Sequence, residues 1–178
     1  MPPVFLSLRT EWLRKSFVIV CYGIRECFMS KILIVYGSTT GNTAAVAEAL
    51  GEQFRQAGHD VDVVDAANVT PTGLCAGRDA VLFGCSAWGT DEVELQTDFE
   101  PLYEAFDRIG AQGVKVACFA TGDSSFEHFC GAVDVIEARL AELGAVQLLE
   151  GLKLDGDLGA NQQEVEDWGG RVLAELTR

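Results

Sequence analysis

The chain has 178 residues, a formal net charge of −14 at pH 7 and a pI near 4.4. This length suits one domain with a single core. Nucleic-acid affinity depends on clustered Lys and Arg, so the acidic balance argues against a nucleic-acid partner and favours basic protein partners.

The charge is distributed unevenly along the chain. Residues 1–28 carry a net charge of +2, which leaves −16 on residues 29–178. The apolar patch "SFVIVCYGI" in the first segment is too short to span a bilayer and precedes no A-x-A-like cleavage site. We interpret residues 1–28 as a start-site artefact or a disordered tail, with translation beginning at Met29; a secretory signal is the alternative. Residues 29–178 then form one domain.

None of the six cysteines lies in a C-x-x-C pair, and the chain has only two histidines, so we expect no metal site. Cys85 and Cys118 lie in or at the end of apolar runs and are predicted to be buried thiols. The cysteine pattern is typical of a reduced, cytoplasmic protein.

From Lys31 onward, apolar runs alternate with amphipathic stretches, which is typical of strand–helix–strand units and a parallel sheet. The predicted strands lie at 31–36, 60–64, 79–85 and 114–121, and a broken fifth strand lies at 145–154. The first predicted helix begins at Asn42 and is ended by Gly58, and the second has apolar residues recurring from Phe99 to Ile109. Two further helices are predicted at 133–143 and 165–176. Parallel strands need right-handed crossovers, so helices must cover both faces of an open sheet. We therefore expect the loops at 37–43, 86–97 and 121–131 to meet at the carboxyl edge of the strands.

The loop "GSTTGNT" at 37–43 joins the first strand to the first helix and contains hydroxyl, amide and glycine residues but no cation. A nucleotide triphosphatase would place a Lys here, and the dinucleotide fingerprint G-x-G-x-x-G is absent. A helix N-terminus with neutral donors can hold a terminal monophosphate. The alternative is a Ser/Thr-rich helix cap that binds no ligand.

Three segments, "VYGSTTGNT", "GCSAWGTDEVELQTDFEPLY" and "ATGDSSFEHFCGAVD", occur in this order and together resemble the flavodoxins of the short-chain type. The resemblance extends from Met29 to the C-terminus. It implies a three-layer α/β flavodoxin-like fold, with a five-stranded parallel sheet in the order 2-1-3-4-5. It also implies a low-potential one-electron carrier that binds FMN non-covalently and has no catalytic residues of its own.

The resemblance assigns roles to individual residues. The FMN phosphate would be held by Ser38, Thr39, Thr40, Gly41, Asn42, Thr43 and Ser86, and the ring by Ala87, Trp88, Gly89, Asp123, Phe126, Phe129 and Cys130. In this family the glycine after the tryptophan can flip its peptide toward the protonated semiquinone. Phe126 stands where the family commonly has Tyr, and Thr90 where an acidic residue is frequent. Asp123 could instead be a plain turn residue, while His128 is interpreted as a solvated loop residue and Trp168 as core.

Seven carboxylates lie near the predicted site in sequence: Asp91, Glu92, Glu94, Asp98, Glu100, Asp123 and Glu127. One charge ~10 Å from the ring contributes roughly 0.4 to 1.7 kcal/mol, depending on the effective dielectric. Together with an uncompensated phosphate, they would oppose a second negative charge on the flavin. They would also dock redox partners that have basic surfaces, and we expect a monomer.

Two other classes compete with the electron carrier. An FMN-dependent NAD(P)H:quinone reductase shares the fold but needs an additional pocket beside the flavin, usually completed by extra loops or a partner subunit. A phospho-receiver module needs a cluster of acidic residues after the first strand, which "YGSTTG" does not supply.

Overall fold

The computed structural model describes residues 29–89 and 92–178, so the interpretation of residues 1–28 lies outside the described residues. The strands are β1 (Lys31–Gly37), β2 (Asp60–Asp65), β3 (Ala80–Cys85), β4 (Ala87–Trp88), β5 (Glu94–Leu95), β6 (Lys115–Gly122), β7 (Val146–Gln147) and β8 (Leu152–Asp155). The α-helices are α1 (Asn42–Gln56), α2 (Glu100–Glu104), α3 (Gly131–Glu142) and α4 (Leu158–Leu176).

The main sheet has the order β2-β1-β3-β6, with β7 and β8 both pairing with β6, and every pair is parallel. β7 pairs with the start of β6 and β8 with its end, so the two together form the broken fifth strand that the sequence predicts. The predicted order 2-1-3-4-5 is confirmed. β4 and β5 form a separate antiparallel ribbon.

Two hydrophobic cores, instead of the single core that the chain length suggests, lie on opposite faces of the sheet, because the central strands are buried on both sides. α1 and α4 cover one face, where Phe54 and Trp168 are fully buried. α2 and α3 cover the other face, where Phe83 and Ile136 are buried. The prediction that Trp168 belongs to the core is confirmed.

The segment predicted as one helix with Phe99, Leu102, Phe106 and Ile109 is divided into α2 and a 3₁₀ turn at Phe106–Arg108. All four apolar side chains are nevertheless buried. Phe106 lies 5.2 Å from Phe83 between ring centroids, and Phe99 packs edge-on against the same ring at 6.4 Å. Aromatic packing thus keeps the predicted face buried although the helix itself is short.

In the described ranges, no helix is both long and apolar enough to cross a membrane.

Candidate functional site

A cavity of about 360 Å³ lies at the carboxyl edge of the sheet, a usual place for ligands in open α/β folds. Its lining residues are Thr40, Asn42, Ser86, Ala87, Trp88, Gly89, Thr121, Gly122, Asp123, Phe126, His128, Phe129 and Cys130. Ten of these residues are among those predicted to hold the cofactor. The other four predicted residues, Ser38, Thr39, Gly41 and Thr43, lie in or directly after the loop that joins β1 to α1. The predicted meeting of the three loops is confirmed.

A larger, more open groove of about 1130 Å³ lies at the opposite, amino edge of the sheet. Its cations are already engaged: Arg78 pairs with Asp62 at 2.6 Å, and Lys115 donates to two carbonyl oxygens at the end of α4. None of the three predicted loops reaches it, so the smaller cavity is the candidate site.

The loop before α1 presents the helix N-terminus to the cavity without capping it. Gly41 precedes the helix with φ 91°, and no side chain accepts a hydrogen bond from the first turn of α1. In contrast, Asp157 caps α4 by accepting a hydrogen bond from the Ala160 N–H at 3.0 Å. Ser38 Oγ instead braces the loop, accepting from the Gly41 N–H at 3.1 Å. The uncapped donors of α1 disagree with the simple-cap alternative and can meet an anion.

A pair of buried hydroxyls joins this helix to the central sheet. Thr43 Oγ1, in the first turn of α1, lies 2.9 Å from Thr121 Oγ1 near the end of β6. Thr43 is 1% exposed and Thr121 7% exposed. Thr121 lines the cavity, although the sequence did not identify it as a site residue.

Ser86 provides a direct test of whether the cavity suits a phosphorylated ligand. Its hydroxyl oxygen is buried and has no hydrogen-bond partner among the described residues, although its residue lines the cavity. Buried polar atoms are seldom left unpaired in native proteins, so such an atom at a cavity wall suits a polar ligand. The orphaned hydroxyl, the uncapped helix and the neutral loop fit the phosphate end of FMN.

The outer walls of the cavity are aromatic. Trp88 is 43% exposed and Phe126 is 61% exposed, although large apolar side chains are usually buried. Trp88 is held by the β4–β5 ribbon, where it pairs with Glu94. Two accessible rings on separate loops suit the faces of a planar aromatic ligand.

Gly89 follows Trp88 in a conformation that favours glycine. Its φ is 102°, and a Cβ at this position would overlap the carbonyl oxygen of Glu92. Both the backbone angle and the space therefore exclude a larger residue without rearrangement of the loop.

The loop after β6 is shaped by its own polar groups. Asp123 Oδ1 accepts hydrogen bonds from the hydroxyl of Ser125 at 2.6 Å and its N–H at 2.9 Å, and these bonds lower the pKa of Asp123. This is the turn geometry of the plain alternative, yet Asp123 also lines the cavity. At the end of the loop, Cys130 adopts φ 52°, an uncommon angle for a residue other than glycine. Burial raises the pKa of its thiol to about 11.

Two residues add to the sequence analysis. His128, interpreted as a solvated loop residue, lies in the loop before α3, where it is half-buried and lines the cavity. Gln96 is 2% exposed and had no predicted role. Its side chain donates to Asp98 at 2.9 Å and toward Thr39 at 3.5 Å, which connects the acidic segment to the loop between β1 and α1.

The loops around the cavity contain no Lys or Arg in their described parts. Six of the seven predicted carboxylates are described, and all are exposed: Glu92, Glu94, Asp98, Glu100, Asp123 and Glu127. Asp91 and Thr90 lie outside the described residues. The described surface beside the cavity is therefore negative, and we call these six residues the acidic rim.

Comparison with known proteins gives consistent matches. The flavodoxin family model matches residues 34–168. A flavodoxin from Nitratidesulfovibrio vulgaris is 55% identical over 148 residues, which cover 83% of this chain and all of the relative. A flavodoxin from Maridesulfovibrio salexigens is 47% identical over the same shares. The crystal structure of oxidised flavodoxin 2 from Bacillus cereus superposes with a TM-score of 0.75 at 29% identity, covering 82% of this chain and 99% of that one.

Proposed function

This chain belongs to the flavodoxin family, and on that premise we propose that it carries single electrons between redox enzymes through a non-covalently bound FMN. It is an electron-transfer protein and not an enzyme in the usual sense, because the flavin supplies the redox chemistry. The relatives named above give no support to the quinone-reductase alternative.

The observation that carries the proposal is an uncapped helix N-terminus that opens on a cavity with two accessible aromatic walls. The phosphate of FMN would be held by the predicted donors of the first loop and by Ser86 Oγ. The ring would lie between Trp88 and Phe126, with its pyrimidine edge against Asp123 and the backbone near Cys130. When bound, FMN accepts and releases electrons one at a time.

The protein tunes this chemistry through charge. The first loop offers no cation to neutralise the phosphate, and the acidic rim adds six exposed carboxylates. Each carboxylate ~10 Å from the ring opposes a further negative charge by roughly 0.4 to 1.7 kcal/mol. The acidic rim and the phosphate therefore lower the reduction potential for the second electron, which makes the protein a low-potential carrier.

The acidic rim also defines the partners. We infer redox proteins with basic docking surfaces, which approach the cavity where Trp88 and Phe126 are accessible. Complementary charge accelerates such encounters at low ionic strength, and salt weakens them. We further propose that the protein acts as a monomer in the cytoplasm.

The test is reconstitution of the purified full chain with FMN. We expect quenching of FMN fluorescence on binding, followed by two separate one-electron steps in absorption spectra during stepwise photoreduction. A chain that fails to quench FMN, or that passes directly through a two-electron step, would overturn the proposal. Sustained NADPH consumption with a quinone by the reconstituted protein alone would support the reductase instead.

A further inference from the structure

The Thr43–Thr121 hydroxyl pair links elements that are far apart in sequence. One hydroxyl belongs to the first turn of α1 and the other to the carboxyl end of β6, and both residues are more than nine-tenths buried. Apart from Thr43, Thr121 and Gln96, the fully buried residues recorded in the described ranges are apolar or glycine. A buried hydroxyl costs free energy unless its hydrogen-bonding capacity is satisfied, so we asked which partners these two hydroxyls have.

Counting protons shows what the pair lacks. Two hydroxyls carry two protons, and the bond between the oxygens uses one of them. No second hydrogen-bond partner of either hydroxyl is found among residues 29–89 and 92–178. One proton is therefore available to an acceptor that the described protein does not contribute. Thr121 lines the cavity, and Thr43 lies in the uncapped first turn of α1.

We propose that Thr121 is a positioning residue for the anionic end of the bound cofactor. Thr121 donates its proton to Thr43 Oγ1, which fixes the rotamer of Thr43 and directs the Thr43 hydroxyl proton toward the phosphate. An anion at the start of α1 favours this direction, because hydrogen bonds in a chain polarise one another toward the negative charge. The inference rests on the proposed function and adds to it a residue that does not itself bind the phosphate.

The experiment compares two ligands that differ in the phosphate group. Apoprotein of the full chain is titrated with FMN and with riboflavin, which lacks the phosphate, and affinity is measured by fluorescence quenching. For Thr121→Val we expect FMN affinity to fall about tenfold, the effect of one hydrogen bond to a charged group, and riboflavin affinity to change less than about twofold. Thr121→Ser keeps the hydroxyl and restores FMN affinity. Thr177→Val, which removes a hydroxyl at the far end of α4, changes neither affinity.

Two further variants keep the test decisive. Thr43→Val is expected to show the same FMN-specific loss, and the double variant no more than Thr43→Val alone, because both substitutions remove one contact. If Thr121→Val does not yield folded protein, Thr121→Ala also removes the hydroxyl and gives the same comparison. Unchanged FMN affinity, or equal losses for FMN and riboflavin, would overturn the inference. Neither outcome affects the proposed function, which fails only if the unaltered protein does not bind FMN.

Discussion

Ser124 bonds to both carboxylate oxygens of Asp155: its N–H donates to Oδ1 at 3.2 Å and its hydroxyl donates to Oδ2. These bonds attach the loop after β6, which carries Phe126, to the end of β8. A second connection between the two strands, from the Gly156 N–H to the Gly122 carbonyl oxygen at 2.9 Å, lies directly beside them. The position of the outer aromatic wall therefore depends on a neighbouring strand.

Asp155→Ala should release this loop. We expect FMN and riboflavin to bind about fivefold to tenfold more weakly, because about 1 kcal/mol of loop ordering must be recovered on binding. Equal losses for the two ligands distinguish this effect from that of Thr121. Asp167→Ala, which removes the same charge from the surface of α4, should leave both affinities unchanged. A loss confined to FMN would contradict the expectation.

Trp88→Ala should remove one wall of the cavity. We expect FMN affinity to fall by about 1 to 2 kcal/mol, from lost stacking and lost apolar contact. Trp88→Phe keeps an aromatic face and should recover most of that affinity in the same fluorescence titration. If Trp88→Phe binds as weakly as Trp88→Ala, stacking is not the source of the affinity.

Gly89→Ala should strain the loop beside the ring, because alanine disfavours φ near 102° and its Cβ would overlap the Glu92 carbonyl. We expect the backbone strain to cost about 1 to 2 kcal/mol of conformational free energy in the loop. We also expect a changed separation of the two one-electron potentials, measured by spectroelectrochemistry. Gly73→Ala is the control, since Gly73 also has a positive φ but faces open space and does not line the cavity. It should lower thermal stability and leave both potentials unchanged.

The buried thiols predict a loss of stability in alkali. Burial raises the pKa of Cys75 from 9.0 to about 11 and that of Cys85 to about 12. The unfolded chain therefore loses these protons near pH 9 while the folded chain keeps them, so stability falls as pH rises toward 11. The slope is at most about 1.4 kcal/mol per pH unit for each thiol.

Urea unfolding at pH 7, 8, 9 and 10 measures this dependence. Cys75→Ala should flatten the slope above pH 9 by the contribution of one thiol, while leaving the slope below pH 8 unchanged. An identical slope in the variant and the original protein would show that the Cys75 thiol is not protected by folding.

The sequence predicted the sheet, because buried parallel strands appear as continuous apolar runs such as "KILIVY" and "AVLFGC". It also predicted the cavity loops, since the carboxyl ends of parallel strands meet at one edge. The extent of α2 was not predictable, because the three-residue spacing of Phe106 and Ile109 suits an α-helix and a 3₁₀ turn equally. Phe99 and Phe106 both pack against Phe83, which lies on β3 and is distant in sequence.

The contacts that support the site were harder to predict. In the sequence, Thr121 is only a polar residue near the carboxyl end of an apolar strand. Its hydrogen-bond partner, Thr43, is 78 positions away in the chain. Gln96 resembles any polar loop residue, yet its amide accepts from the N–H groups of Asp98 and Phe99 at 2.9 and 3.1 Å. Such long-range or local side-chain bonds leave no periodic pattern in the sequence.

The two hydrophobic cores are formed almost entirely by residues that do not line the cavity. Among the described residues that line it, only Cys130 is a fully buried member of a core. Folding and cofactor loading should therefore be separable events. We expect the polypeptide to fold before it binds FMN. Bound FMN then adds stability by mass action alone. The fraction of folded molecules that can carry electrons would then equal the fraction that has bound FMN.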